Sequence, residues 1–204
     1  MTSASGRPWI INLGLPKSGT TTFQTALERA GLSATGHLLP GPGRRPVARA
    51  LFDAYFETGD PLSGLSGLDG LGEVSILRRN LSLWPQCDFG ILQALKRNHP
   101  KIRLVATWRP YIDIVDSMHR WRNLGTQRLP NGSIPGLPAG YGAPKAQLAW
   151  VQAHDQFLQT IFAGDPAFLR LDVTAPDAQD RLAHHIGRPI PWWGRANVGR
   201  QRPK

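Results

Sequence analysis

The feature that most constrains the fold is a short apolar run joined to an amphipathic segment by a loop of small residues. The run Trp9 to Gly14 predicts a buried strand, and Thr20 to Ala30 places its apolar residues on one face of a predicted helix. Gly31 supplies a stop signal for that helix. The loop between the two reads GLPKSGTTT, from Gly14 to Thr22. A strand, loop and helix in this order favour an α/β fold.

Strand and helix patterns alternate along the rest of the chain. Apolar runs predict strands at 73–77, 102–108 and 167–171. Periodic apolar residues predict helices at 47–57, 87–99, 111–124, 145–162 and 176–186. Asp88 is the expected N-cap of the second of these helices, and Trp121 is expected to pack inward from the third. The alternation predicts a three-layer αβα fold with a central parallel sheet, whose ligands lie at the carboxyl ends of the strands.

Stretches rich in glycine and proline interrupt this pattern. Residues 33–46 and 59–72 predict loops that shape a pocket. Residues 125–144 contain five glycines and four prolines, which predicts a long structureless loop, either a lid or binding loop or a disordered segment. Residues 188–204 show no periodicity and predict an irregular basic tail. The length of 204 residues predicts one domain spanning 1–204.

Charge and cysteine content narrow the class of protein. The excess of 24 Lys and Arg over 14 Asp and Glu gives a formal net charge of +10, which favours anionic partners without choosing among nucleotides, sulfated or phosphorylated sugars, nucleic acid and membrane surfaces. A single cysteine, Cys87, excludes an intrachain disulfide and fits a reducing compartment. The apolar run Trp9 to Leu15 is too short for a membrane span and lacks a cleavage site. A cytoplasmic protein is therefore expected.

The GLPKSGTTT loop has the features of an anion site. A loop of small residues leading into a helix points several N–H groups at one place and adds the positive end of the helix dipole. Lys17 adds a full charge, and Thr20 and Thr21 add hydroxyl donors. Gly14 and Gly19 keep the spacing of the ATP- and GTP-binding loop, but Thr20 stands where that loop has its lysine. An ordinary strand-to-helix turn with a solvated lysine is the alternative.

A second anion site is predicted after the strand at 102–108. Arg109 directly follows that strand, and Ser117 comes eight residues later, two turns into the next predicted helix. A guanidinium and a hydroxyl placed in this way can close on one phosphate, the arginine through a bidentate pair of bonds. A surface arginine beside a polar helix face is the alternative. The pair is weak evidence alone and stronger beside the first loop.

Both motifs resemble those of the sulfotransferases that use 3'-phosphoadenosine 5'-phosphosulfate. The PKSGTT segment at 16–21 is similar to their 5'-phosphosulfate loop, and Arg109 with Ser117 is similar to their 3'-phosphate motif, although Pro110 follows the arginine directly. The resemblance implies a P-loop nucleotide-binding type of fold, this nucleotide as co-substrate, and no metal. The implied nucleotide contacts are Lys17, Ser18, Gly19, Thr20, Thr21, Arg109 and Ser117. Lys17 is also implied as catalytic, stabilising the charge on the oxygen that leaves sulfur.

The resemblance also implies a general base, since the accepting hydroxyl or amine must lose a proton. The segment GEVSIL resembles the E-x-S/T-P strand of carbohydrate sulfotransferases, which implies that Glu73 is the catalytic base, although Ile76 replaces the proline. A surface glutamate is the alternative. The rival bases are His37, His99 and His119.

The last segment of the sequence, ANVGRQRPK, is similar to the final segment of bacterial sulfotransferases. Two readings of its basic residues stay open, contact with nucleotide phosphate and a frayed tail. The residues concerned are Arg200 and Arg202 in the segment and Arg195 directly before it. Trp192 and Trp193 are expected to dock the tail on the body of the protein.

Other functions stay open at this stage. A P-loop kinase or nucleotide hydrolase would use Asp172, at the end of the last strand, to hold magnesium. A non-catalytic polyanion or nucleic-acid binder would use the net charge, although the sequence has no zinc spacing or RNA-recognition signature and specific nucleic-acid binding is not expected. For a sulfotransferase, the acceptor would be a carbohydrate or another small molecule. The sequence does not indicate an oligomeric state.

Overall fold

A five-stranded parallel sheet organises the chain. The computed structural model describes residue 6 and residues 8–196. The strands of the sheet are β1 (Ile10–Asn12), β2 (Ala34–Thr35), β3 (Gly70–Leu71), β6 (Arg103–Trp108) and β7 (Phe168–Asp172). Their order is β2-β3-β1-β6-β7, and all neighbours run parallel. A separate antiparallel hairpin joins β4 (Ile76–Arg78) to β5 (Leu81–Leu83).

Helices flank the sheet. Their bounds are α1 (Thr20–Arg29), α2 (Val47–Thr58), α3 (Phe89–Asn98), α4 (Tyr111–Arg120), α5 (Leu129–Asn131), α6 (Pro144–Ile161) and α7 (Ala178–Ile186). Because side chains alternate along a strand, Ile11 packs with residues of α2, α3 and α6, whereas Ile10 packs with residues of α1 and α7. The predicted α/β fold with a central parallel sheet is confirmed. Among the described residues, no helix has both the length and the apolar composition needed to cross a membrane.

The third strand lies where the sequence predicts a loop. The strand expected at 73–77 is present only in part: residues 73–75 are not in a strand, and residues 76 and 77 belong to β4 of the separate hairpin. In the parallel sheet, β3 occupies Gly70–Leu71, and Glu73 lies just beyond its carboxyl end. A Cβ atom on Gly70 would lie 2.8 Å from Leu27 Cδ1 and 3.2 Å from Ile10 O, so glycine permits the close approach of β3 to α1 and β1. The same glycine-rich composition hid the strand from a pattern based on apolar residues.

Two expectations about residues 111–144 need correction. Helix α4 ends at Arg120 rather than at 124, and Trp121 is 41% exposed rather than packed inward. Arg122 takes a left-handed φ of 51°, which interrupts the helix. The segment 125–144 is not structureless, since it holds α5 and most of a π-helical turn, Leu124–Arg128. Its apolar side chains are buried against Trp150 and its neighbours: Leu129, Ile134 and Leu137.

The topology gathers three loops at one edge of the sheet. After β1 the chain builds β2 and β3 on one side, and it then crosses to the other side to form β6. Such a reversal opens a crevice at the carboxyl ends of the strands on either side of it, and ligands of open α/β sheets bind there. The Lys17 loop follows the central strand β1, Glu73 follows β3, and Arg109 follows β6. The carboxyl edge therefore carries all three of these side chains.

Candidate active site

A buried asparagine braces the turn that follows β1. Asn12 Oδ1 accepts hydrogen bonds from the backbone N of Gly14 at 2.9 Å, from the backbone N of Thr107 at 3.2 Å and from Thr107 Oγ1 at 3.1 Å. Asn12 Nδ2 donates to the carbonyl oxygen of Gly72 at 2.9 Å. One side chain therefore ties together the ends of β3, β1 and β6. This role of Asn12 was not expected from the sequence, where the available signal was a polar residue at the end of an apolar run.

Ser18 supports the turn from inside the protein. The Thr107 hydroxyl gives its proton to Asn12, so Ser18 Oγ donates to Thr107 Oγ1, at 2.7 Å. The backbone N of Ser18 donates to the carbonyl oxygen of Leu15 at 3.1 Å. Ser18 is 1% exposed. Both of its donors are engaged within the protein, so Ser18 shapes the loop rather than presenting a group to solvent.

Replacing Gly14 by alanine is expected to lower the free energy of unfolding by about 1–3 kcal/mol, the usual cost of overpacking. A Cβ atom at position 14 would lie 2.6 Å from Ser18 Oγ and 2.6 Å from the backbone oxygen of Thr107, and it would also collide with Thr107 Oγ1. Urea denaturation measures the change. The control is Gly41→Ala, where the backbone is left-handed but no atom lies within 4 Å. Equal stability of Gly14→Ala and wild type would contradict the tight packing.

Lys17 and Gly19 give the loop its unusual path into α1. Lys17 has a φ of 73° and Gly19 a φ of 115°, and a Cβ atom on Gly19 would lie 2.7 Å from Val173 Cγ1. Gly19 is the N-cap of α1, where no side chain of the described residues caps the first turn. The first N–H groups of a helix have no intrahelical acceptor. The loop therefore directs the positive end of α1 towards the crevice.

The Lys17 ammonium is half-buried at this edge. Lys17 Nζ lies 3.8 Å from the centroid of the Trp121 ring, within the range of a cation–π contact. Burial lowers the pKa of Lys17, Glu73 opposes this effect, and Arg109 reinforces it. An incoming anion would compensate a charge that the protein itself compensates only in part.

Arg109 joins the loop after β6 to the loop after β1. Its Nε donates to the carbonyl oxygen of Lys17 at 3.1 Å. Burial lowers the pKa of Arg109, Asp113 opposes this, and the nearby Arg120 and Arg195 lower it further. The two segments predicted to bind anions are thus in direct contact.

Ser117 lies in α4 and is half-buried. Among the hydrogen bonds of the described residues, none joins the Ser117 hydroxyl to Arg109. The structure therefore brings Arg109 to the Lys17 loop, and it places Ser117 on the neighbouring helix without a direct link.

Glu73 faces the same loop from the other side. Thr20 Oγ1 donates to Glu73 Oε2 at 3.0 Å. Burial raises the pKa of Glu73, while the Thr20 hydrogen bond, Lys17 and Arg128 each favour its ionised form. Arg128 Nη1 donates to the carbonyl oxygen of Leu77 at 2.8 Å. A carboxylate with a raised pKa beside a lysine is a suitable arrangement for a general base near neutral pH.

The three rival histidines lie in different places. His99 Nε2 is 2.7 Å from Asp60 Oδ1, and the residue caps α3 just before β6, at the amino edge of the sheet. That edge is opposite the Lys17 loop. His119 Nε2 lies 3.2 Å from Gln147 Oε1 on α6. His37 interacts with Arg128, which also acts on Glu73: burial lowers the pKa of His37, as do Arg78, Arg44 and Arg128.

The segment 192–196 docks on the start of α1. Thr22 Oγ1 donates to the carbonyl oxygen of Gly194 at 2.8 Å, and Trp193 Nε1 donates to the carbonyl oxygen of Val173 at 3.3 Å. Trp192 and Trp193 both pack against the apolar side chains between α1, α7 and the sheet, as expected. The segment brings Arg195 near Arg109. Arg200 and Arg202 lie outside the described residues.

No protein-family model matches this chain, and no curated protein matches it. Function has to be inferred from the chemistry of the site rather than from relatives.

Proposed function

We propose that this protein is a sulfotransferase that moves a sulfuryl group from 3'-phosphoadenosine 5'-phosphosulfate to a hydroxyl or amine of an acceptor. The observation that carries the proposal is the hydrogen bond between Arg109 Nε and the carbonyl oxygen of Lys17. It brings two turns with anion-binding character together at the carboxyl ends of adjacent strands. A nucleotide with a phosphate at each end of its ribose needs two such turns.

The residues at the crevice suit the two charged ends of this nucleotide. The Lys17 loop and the start of α1 would hold the 5'-phosphosulfate through N–H groups and the ammonium. Arg109 would hold the 3'-phosphate, with Arg195 close enough to add charge. Ser117, two turns into α4, would add a hydroxyl donor. These assignments follow the P-loop type of nucleotide binding that the sequence resembles.

The proposed reaction balances in protons and charge. A lone pair on the acceptor oxygen or nitrogen forms a bond to sulfur while the bond from sulfur to the 5'-phosphate oxygen breaks. The acceptor proton goes to the Glu73 carboxylate, and adenosine 3',5'-bisphosphate leaves with the electron pair of the broken bond. Lys17 stabilises the charge that develops on the departing oxygen.

The donor set favours this function over a P-loop kinase or hydrolase. A kinase loop places a lysine and then a hydroxyl on the phosphates and magnesium, whereas Thr20 gives its hydroxyl to Glu73 here. Asp172, the expected magnesium residue, accepts hydrogen bonds at Oδ1 from the backbone N and the hydroxyl of Thr174, at 2.9 and 2.7 Å. Both groups are already used in a different arrangement.

Adenosine 3',5'-bisphosphate is expected to raise the melting temperature more than ATP or GTP at equal concentration. A ligand that binds only the folded state stabilises it by about 2.7 kcal/mol at a hundred times its Kd. Differential scanning fluorimetry without added metal measures the shift. A larger shift with ATP and magnesium would instead support the kinase or hydrolase.

Replacing Arg109 by alanine is expected to weaken binding of adenosine 3',5'-bisphosphate by about 10–100-fold, since a charge-assisted bidentate pair is lost. Isothermal titration calorimetry measures the affinity. The matched control is Arg103→Ala, at the amino end of the same strand, where the side chain donates to the backbone oxygen of His185 at 2.9 Å. Equal affinity of Arg109→Ala and wild type would contradict the proposed 3'-phosphate site.

A further inference from the structure

A second group of basic side chains lies near Glu73. Its members, here called the distal cluster, are Arg44, Arg78, Arg122, Arg128 and His37. Arg78, Arg44 and Arg128 are each close enough to lower the pKa of His37, beyond the effect of its burial. Burial lowers the pKa of Arg128, Arg122 lowers it further, and Glu73 opposes them. The five side chains thus form one neighbourhood adjoining the proposed base.

The distal cluster lacks carboxylate partners within the described part of the chain. The ion pairs found there are Arg45–Asp53, Lys96–Asp165, His99–Asp60 and Arg170–Asp155. None includes a member of the cluster, and Glu73 is the carboxylate that favours the charged form of Arg128. Like charges held together repel one another and destabilise the folded state. A bound anion would remove that cost.

The charged groups around Arg109 differ from those around His37 and Arg128. The charged groups acting on the pKa of Arg109, alongside its burial, are Asp113, Arg120 and Arg195, and none of them acts on His37 or Arg128. Lys17 and Glu73 link the two groups. Arg109 and Glu73 both act on the pKa of Lys17, and Lys17 and Arg128 both act on the pKa of Glu73. Lys17 and Glu73 therefore interact with both groups of basic side chains.

Backbone conformation marks the same residues. Among the described residues, three that are not glycine have positive φ: Lys17 at 73°, Arg44 at 39° and Arg122 at 51°. One is the proposed catalytic cation and two belong to the distal cluster. Strained backbone of this kind concentrates at ligand-binding positions.

Arg128 is the cluster member with the best-defined contacts. It ends the π-helical turn Leu124–Arg128, a form of helix found often at functional sites. Its Nη1 donates to the carbonyl oxygen of Leu77 at 2.8 Å, while its buried Nε has no hydrogen-bond partner among the described residues. A buried guanidinium N–H without an acceptor is rare in folded proteins, and an anionic ligand would satisfy it.

We propose that the acceptor carries an anionic group, a carboxylate, sulfate or phosphate, that binds the distal cluster and presents the acceptor's hydroxyl or amine to Glu73. This inference rests on the proposed sulfotransferase function. An anion at the cluster would place the rest of the acceptor over Glu73 and Lys17, opposite the nucleotide. Neutral acceptors would lack this anchor.

The test measures the binding of small anions, so the structure of the acceptor need not be known. Melting temperature is titrated with inorganic sulfate, inorganic phosphate and acetate at constant ionic strength, with saturating adenosine 3',5'-bisphosphate. We expect at least one anion to bind, and Arg44→Gln and Arg78→Gln each to raise its apparent Kd by about tenfold, or 1.4 kcal/mol. Both side chains are exposed, so neither change should prevent folding. The anion that binds best identifies the group on the acceptor.

Arg79→Gln is the matched control. Arg79 is adjacent to Arg78 on the same hairpin and exposed, but it is not among the cations acting on His37. Its apparent Kd should equal that of wild type. If all three variants lose anion binding equally, or if no variant loses it, the inference is overturned and the sulfotransferase proposal stays intact. If the anions bind but adenosine 3',5'-bisphosphate does not, the protein is a polyanion binder and both proposals fail.

Discussion

Lys17→Gln is expected to reduce the rate of sulfuryl transfer by about 100–1,000-fold, the typical effect of removing one donor that stabilises a developing oxyanion. Glutamine keeps most of the length of the side chain and removes its charge. Because Lys17 would act on the oxygen that gains charge only as the bond to sulfur breaks, kcat should fall more than affinity for adenosine 3',5'-bisphosphate does. Transfer of radiolabelled sulfate and calorimetry with the bisphosphate measure the two quantities.

Two controls make this result interpretable. Lys101→Gln removes an exposed lysine just before β6, at the opposite edge of the sheet, and should leave transfer unchanged. Circular dichroism should show that Lys17→Gln keeps its fold, since glutamine meets the left-handed φ of 73° no worse than lysine does. Unchanged transfer by Lys17→Gln would remove the proposed role of the ammonium.

Glu73→Gln is expected to reduce transfer by about 100–10,000-fold, the usual contribution of a general base. Glutamine Oε1 can still accept the hydrogen bond from Thr20, so the position of the side chain should persist. Since burial raises the pKa of Glu73 from its ordinary value of 4.5, the wild-type rate should fall on the acid side at a higher pH than an ordinary carboxylate would give. The residual rate of Glu73→Gln should no longer show this fall on the acid side.

The same substitution should stabilise the folded protein at neutral pH. With the pKa of Glu73 raised in the folded state, the unfolded chain loses this proton first as the pH rises above 4.5, so the carboxyl lowers stability from there up to its folded pKa. Glu73→Gln removes this loss. Its advantage over wild type in urea denaturation should therefore grow as the pH rises above 4.5 and then level off. A variant that loses both stability and activity at pH 7 would indicate a structural role instead.

The sequence was most informative where apolar periodicity is strong. The strand at Arg103–Trp108, the helix at Val47–Thr58 and the Asp88 cap, which accepts from Ile91 N at 2.9 Å, agree with it closely. Periodicity failed for Gly70–Leu71, a strand of two residues whose place in the sheet depends on contacts with β1 rather than on its own composition. Trp121 was misplaced because the helix stops before it, at a backbone turn that no pattern of apolar residues encodes.

Some parts of the candidate site could likewise be predicted from the sequence, and others could not. The segment of Lys17 and the position of Arg109 follow from local motifs, whereas their contact depends on β1 and β6 being neighbours, which strand order alone decides. Arg128 and Arg78 could not be recognised beforehand, because a lone arginine in a glycine-rich segment or at a hairpin carries no signal of its surroundings. Their significance arises from long-range packing around Glu73.

The ion pairs His99–Asp60 and Lys96–Asp165 lie where the chain enters β3, β6 and β7, on the side of the sheet remote from the crevice. The residues of the proposed site therefore lie at the opposite edge of the sheet from these two ion pairs. An engineer could add ordinary stabilising substitutions around the ion pairs without touching the crevice. Under the proposed function, substitutions chosen to change the acceptor would fall at the other edge.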